Sequence, residues 1–294
     1  MAHHLKPLGW LTLGVLVAGI GLALFQLKPD TPSTHTKVER SSSSQVSTKK
    51  ATPTATQIST QLKKRWSTIL KSVDTPVSIA VYSKQYDTTI TLNNQASAVH
   101  TTASIVKVGF LTQLLHQAQA NQTTLTTTQA DEATRAIENS DNDAATALYD
   151  DIGASSGVTT LFTNLKMTGS AAGTTGWAGT TTTASDQLTL LNQIFYTGDY
   201  LSTKSKAYIK NLMANVESDQ QWGVSAGAKT FQLKNGWRLN TDNTWIVNSI
   251  GHLGSGNQSC TIAVLTDDNT SLEAGQQLVE KLAKASGSVL DLAQ

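Results

Sequence analysis

The sequence predicts an α+β fold in which an antiparallel sheet is flanked by N- and C-terminal helices and a helical subdomain is inserted between two groups of strands. Three observations lead there. Apolar residues fall at helical spacing at both ends of the folded part, with Ile58, Leu62, Trp66, Ile69 and Leu70 at one end and Leu272, Leu278 and Leu282 at the other. Short β-branched, alternating runs lie in two groups, Val77 to Tyr82 and Thr88 to Leu92 early, then Thr230 to Trp237, Trp245 to Ile250 and Cys260 to Thr266 late. Between the groups the periodicity turns helical, and no internal repeat is evident, so a cleft between sheet and insert is the natural ligand site.

In chain order, residues 1–7 form a short tail and residues 8–27 an uncharged apolar run, LGWLTLGVLVAGIGLALFQL, of the ~20 residues needed to cross a bilayer. A cleaved signal peptide is the competing reading, but no small-x-small site follows the run, and a lipoprotein anchor would need a cysteine there. Lys6 precedes the run while Lys28, Lys37, Arg40, Lys49 and Lys50 follow it, the reverse of the simple charge rule, although long downstream domains translocate regardless. Residues 28–56, rich in Ser, Thr, Lys and Pro, bury too little to offset the entropy of ordering and are expected to be a disordered stalk. The folded domain is then 57–294. Its first helix runs from Gln57 to Val73, the two early strands form a hairpin, and Thr101 to Ala118 is a helix built on Val106, Phe110, Leu111, Leu114 and Leu115. Helical turns follow from Gln129 to Ile152, a long Thr/Gly-rich loop extends to Thr183, and Ala184 to Phe195 and Lys204 to Met213 are helices ahead of the last three strands and the final helix, Ser271 to Ala285.

A net charge of +1 with scattered basic residues offers no field for nucleic acid, so no nucleic-acid partner is expected. Cys260 is the sole cysteine, which rules out an intramolecular disulfide, and its apolar setting marks it as a buried strand residue. The six histidines show no zinc-ligand spacing, and neither metal nor cofactor is expected.

Three short motifs carry chemistry. Ser104-Ile105-Val106-Lys107 opens an apolar helix, where one turn brings the amine beside the hydroxyl and the helix N-terminus favours negative charge near Ser104. Such a lysine acts as a base near neutral pH only if it is desolvated or sits beside another cation. The tetrad alone is weak, since Ser47-Thr48-Lys49-Lys50 matches a similar pattern by chance. Ser140-Asp141-Asn142 lies in the helical block, where the hydroxyl could pass a proton and the Asn142 amide could orient Lys107 and bind a substrate carbonyl; a plain helix cap is the alternative. Lys234-Asn235-Gly236 ends a strand before Trp237. There Gly236 would allow close approach of an acyl group, the Ser104 and Trp237 amides could form an oxyanion hole, and Lys234 could attract a carboxylate and depress the Lys107 pKa; an ordinary strand ending is the alternative.

Together, in this order and on these elements, the motifs match the signature of penicillin-recognising serine enzymes. From Gln57 to the C-terminus the chain resembles the class A β-lactamase-like serine hydrolases, through TTASIVKVGFL, IENSDNDAATAL and TTTTASDQLTLLNQI as well as the tetrads. The resemblance implies Ser104 as nucleophile, Lys107 as general base and Ser140 as proton shuttle. It also implies Asn142, Lys234, Asn235, Gly236 and Trp237 as substrate-binding residues, and a β-lactam or peptidoglycan stem-peptide-like substrate.

The departures matter as much. Asn235 stands where the family has Thr or Ser, with Arg238 as a candidate replacement for the missing hydroxyl, and the stretch from Lys107 to Ser140 is short for the family. The family's loop glutamate, which activates the deacylating water, has no counterpart, because residues 152–185 contain no Asp or Glu. The expectation is therefore an acyl-enzyme that forms and hydrolyses slowly, unless Lys107 serves both steps. Efficient β-lactam hydrolysis and a non-catalytic cell-wall-binding or sensing domain are the competing readings. A single-pass, membrane-anchored, extracytoplasmic protein with a monomeric catalytic domain is expected, with Trp177 packing rather than lining the pocket.

Overall fold

The first helix starts earlier than its apolar period suggests, because Thr54 and Gln57 form a reciprocal cap: the Thr54 side chain accepts from the Gln57 amide and Gln57 Oε1 accepts from the Thr54 amide at 2.8 Å. Helix α1 therefore spans Ala55–Leu70, beginning two residues before the expected start at Gln57. These coordinates are a computed structural model that describes residues 52–196 and 198–292. The expected tail, the apolar run 8–27 and the stalk up to residue 51 lie outside the described residues, among which no helix is long and apolar enough to cross a membrane.

Strands β1 (Val77–Ser83) and β2 (Thr88–Asn93) form the expected hairpin, and β5 (Phe231–Leu239), β6 (Trp245–Ser255) and β7 (Gln258–Thr266) complete an antiparallel five-stranded sheet in the order β2-β1-β7-β6-β5. Helices α1 and α8 (Leu272–Leu290) cover one face, where Ile58, Leu62 and Trp66 meet Ile262, Val264, Val279 and Leu282. The Trp66 indole N–H donates to Ser286 Oγ at 3.0 Å, so the largest side chain of this core is buried without an orphaned donor. Cys260 is buried on β7, and burial pushes its thiol up to about 12.

The other face carries the helical subdomain: α2 (Val106–Ala120), α3 (Thr127–Glu138), α4 (Asn142–Asp151), α5 (Ala154–Asn164), α6 (Ala184–Phe195) and α7 (Thr203–Ala214). Every residue of α2 from Val106 to Leu115 is buried, as expected of a helix that forms the axis of a core rather than its rim.

One expectation is corrected. The Thr/Gly tract 152–183 is not all loop, since Ala154–Asn164 forms α5, entered through Gly153 at φ +93°. Its buried Val158, Leu161, Phe162 and Leu165 do follow a helical period, but Ser and Thr on the outer face mask it. Beyond α5 the chain loops back through a 3-10 turn, Trp177–Gly179, into β4 (Thr181–Thr183), which pairs with β3 (Val99–Thr101) as a separate two-stranded ribbon. Asp186 Oδ2 ties the stem of this loop by accepting from the Gly169 amide at 2.8 Å and the Ser170 hydroxyl at 2.7 Å.

Replacing Trp66 with alanine is expected to destabilise the domain by about 3–5 kcal/mol, read as a lower midpoint in urea unfolding with an unchanged slope.

Candidate active site

Ser104 sits in a 3-10 turn, Ala103–Ile105, between β3 and α2, with the preceding Ala103 at φ +45°. A non-glycine residue in that region stores strain, so the surroundings must hold the turn. They do so from three sides. The Thr102 amide and hydroxyl both donate to the Thr180 carbonyl, at 2.9 and 3.1 Å. Asn248 Nδ2 donates to the carbonyls of Thr101 and Thr102, at 2.8 and 3.1 Å. The third support is β5, the sheet's edge strand, which lies so close that a Cβ on Gly236 would fall 2.8 Å from the Ser104 and Ile105 amide nitrogens. Gly236 thus serves the approach of strand to turn. One step further back, His100 bridges the ribbon to the sheet through Asp267 Oδ2 at 2.6 Å and Ser78 Oγ at 2.8 Å.

Lys107, in the first turn of α2, is fully buried. Its Nζ donates to the Ser140 carbonyl at 2.7 Å and Asn142 Oδ1 at 2.8 Å, and lies 3.4 Å from Ser140 Oγ. Among the described residues no hydrogen bond joins it to Ser104 Oγ. Burial lowers its pKa to about 8, against an opposing pull from Asp141. In the second motif Asp141 caps α4 by accepting from the Ala144 amide at 2.7 Å, while Ser140, at φ +59°, and Asn142 face Lys107. Lys234 is fully buried on β5, and its Nζ has no hydrogen-bond partner among the described residues. Burial first, then the charge of Lys107, drives its pKa well below the ordinary value.

A cavity of about 330 Å³ beside them is lined by Ala103, Ser104, Ser140, Asn142, Trp177, Ala178, Trp237 and Arg238. The lining contains no carboxylate. Asn235 does not reach it: this side chain is buried, and its Nδ2 donates to the carbonyls of Gln220 and Trp222 at 2.8 and 3.2 Å. Arg238 Nη1 donates to the Ala178 carbonyl at 2.8 Å, which joins β5 to the loop across the cavity. Trp177, expected only to pack, both packs and lines, with its ring edge against Phe110 and its centroid 5.3 Å from Lys107 Nζ. Trp237 stacks edge-on with Trp222 at 5.7 Å.

Sequence reasoning missed Asn248 and Thr180. The polar pair Asn248-Ser249 interrupting an apolar strand was a signal for the first; nothing local marked the second. Among the described residues no cluster of His, Cys, Asp and Glu could hold a metal ion.

The model of the "Beta-lactamase enzyme family" matches residues 125–291, a span that holds Ser140, Asn142 and Lys234 to Trp237 and begins after Ser104 and Lys107. No curated protein sequence matches the chain. Among solved structures, a representative class A β-lactamase from Bacteroides cellulosilyticus DSM 14838 superposes with a TM-score of 0.70 at 14% identity, covering 82% of this chain and 99% of that one. A β-lactamase from Streptosporangium roseum gives 0.66 at 19% identity, covering 79% and 99%, and PBP-A gives 0.66 at 15% identity, covering 79% and 96%. Such identities establish a common architecture, and the family match extends over more than half of the sequence; the chain belongs to the beta-lactamase enzyme family and is a serine hydrolase of the β-lactam-related type.

Proposed function

We propose that the protein acylates Ser104 with β-lactams or peptidoglycan stem-peptide-like substrates and releases the acyl group slowly. The observation that carries this reading is a fully buried lysine held by Ser140 and Asn142 at a serine-lined cavity without a carboxylate. A neutral amine has two N–H donors and one lone pair. The Ser140 carbonyl and Asn142 Oδ1 occupy the donors, which leaves the lone pair to take a proton from a hydroxyl. With a pKa of about 8, roughly a tenth of Lys107 is neutral at pH 7, against well under about one part in a thousand for an ordinary lysine. Ser104 Oγ then attacks the carbonyl carbon as its proton passes to Lys107, the Ser104 and Trp237 amides receive the oxyanion, and Ser140 relays the proton to the leaving nitrogen. Arg238, unopposed by any acid on the lining, suits a substrate that carries a carboxylate. A variant of PBP-A has been captured as an acyl-enzyme complex with penicillin G, which is the kind of intermediate proposed here. The uncharged apolar run 8–27 supports a membrane-tethered protein with its catalytic domain outside the cytoplasm.

Two measurements test the reading. A fluorescent penicillin is expected to label the chain stably and to fail on Ser104→Ala, while a chromogenic cephalosporin is turned over at most slowly. Rapid multiple turnover would identify an efficient β-lactamase, and neither labelling nor turnover would leave a binding domain. The labelling rate is expected to rise with pH and level off above about 8, as Lys107 loses its proton, and Lys107→Ala is expected to slow labelling by about 10²–10⁴-fold.

A further inference from the structure

We infer that Trp177 shields the acylated serine from water, so that this indole sets the lifetime of the acyl-enzyme; the inference rests on the roles proposed for Ser104 and Lys107. The loop brings Trp177 to the cavity by a constrained route. Gly176 precedes it at φ +126°, and a Cβ on Gly173 would fall 2.1 Å from the Gly176 carbonyl oxygen, so the approach depends on glycine at both positions. Three contacts then hold it. The indole N–H donates to Thr146 Oγ1 on α4 at 3.1 Å, the ring meets Phe110 on α2 edge-on, and the next carbonyl, Ala178, accepts from Arg238 on β5. A ring fixed from α4, α2 and β5 is a wall of the cavity rather than a mobile rim.

What the wall covers is the base. Two sides of Lys107 Nζ are taken by the Ser140 carbonyl and Asn142 Oδ1, and the indole lies 5.3 Å away. Hydrolysis of the ester needs a water whose proton passes to neutral Lys107 while its oxygen adds to the acyl carbon. The acyl carbon–Oγ bond then breaks, and the proton returns from Lys107 to Ser104 Oγ. A water held for that step requires two or more polar partners, and an indole face offers none of the required kind. The carboxylate that could hold such a water is missing from the lining, and an apolar ring stands against the one remaining base.

The test is the lifetime of the penicilloyl label on the full-length chain after unlabelled penicillin is added. Trp177→Ala is expected to shorten it by about tenfold or more, because water gains access to a general base. Trp177→Phe, which keeps an apolar ring, is expected to stay near the parent value. Thr146→Val removes the acceptor for the indole N–H and leaves the ring present, and is expected to shorten the lifetime by about threefold. A folded Trp177→Ala protein that labels and keeps the parent lifetime overturns the inference. If that variant shows no cooperative melt, an unchanged lifetime in Thr146→Val overturns it instead. Rapid loss of label from the parent chain also defeats the shield while leaving acylation intact, whereas absence of label on parental Ser104 defeats the reading beneath it.

Discussion

The burial of one amine organises the site. A lysine in water is a cation, and placing its Nζ in a protein interior disfavours that charge unless acceptors compensate. Here the compensation is partial: three oxygens and the face of an indole surround Lys107, and among the described residues no carboxylate pairs with it directly. The amine is stabilised enough to stay in place and destabilised enough to give up its proton near neutrality. The second buried lysine, on the adjoining strand, feels the same penalty with no hydrogen bond to relieve it.

That arrangement requires a rigid frame, because Ser104 lies in a turn strained at Ala103. The frame is assembled from distant parts of the chain. Asn248 from the central sheet holds the carbonyls of Thr101 and Thr102, Thr180 receives the hydrogen bonds of Thr102, and Gly236 lets the edge strand close against the turn. The buried link from Ser78 through His100 to Asp267 fixes the ribbon to β1 and to the end of β7. Although it has the order of a hydrolytic triad, Ser78 is wholly buried, so the linkage serves as a brace.

Much of this was legible in residue order, for identifiable reasons. Strand β2 and the terminal helices show one-sided burial, which leaves a clean period in the sequence, while β1, buried on both faces, reads as a compact β-branched run. The Ser104 and Ser140 motifs could be placed at a helix start and within a helical block because each lies beside a strongly patterned element, whereas Lys234-Asn235-Gly236, expected to end a strand, lies inside β5, which continues to Leu239. Helix α5 escaped because its solvent face is Ser and Thr, residues that usually mark loops, and because it begins at a left-handed glycine. Asn235 and Trp177 escaped for a different reason. Whether a side chain faces a cavity or a backbone carbonyl depends on neighbours far away in sequence, here Gln220 and Trp222 for the first and Thr146 and Phe110 for the second. The same long-range dependence explains why β5 proved to meet the turn through Gly236.

The two-stranded ribbon has a wider consequence. One of its strands runs straight into the turn of Ser104, and the other starts two residues after the turn that carries Trp177. The proposed attacking group and its proposed cover are therefore yoked to a single pair of backbones, and a slip or twist that lifts one carries the other along. Grafting a foreign loop into this domain to alter turnover would have to preserve that pairing, or it would misalign the alcohol in the act of opening a path for solvent.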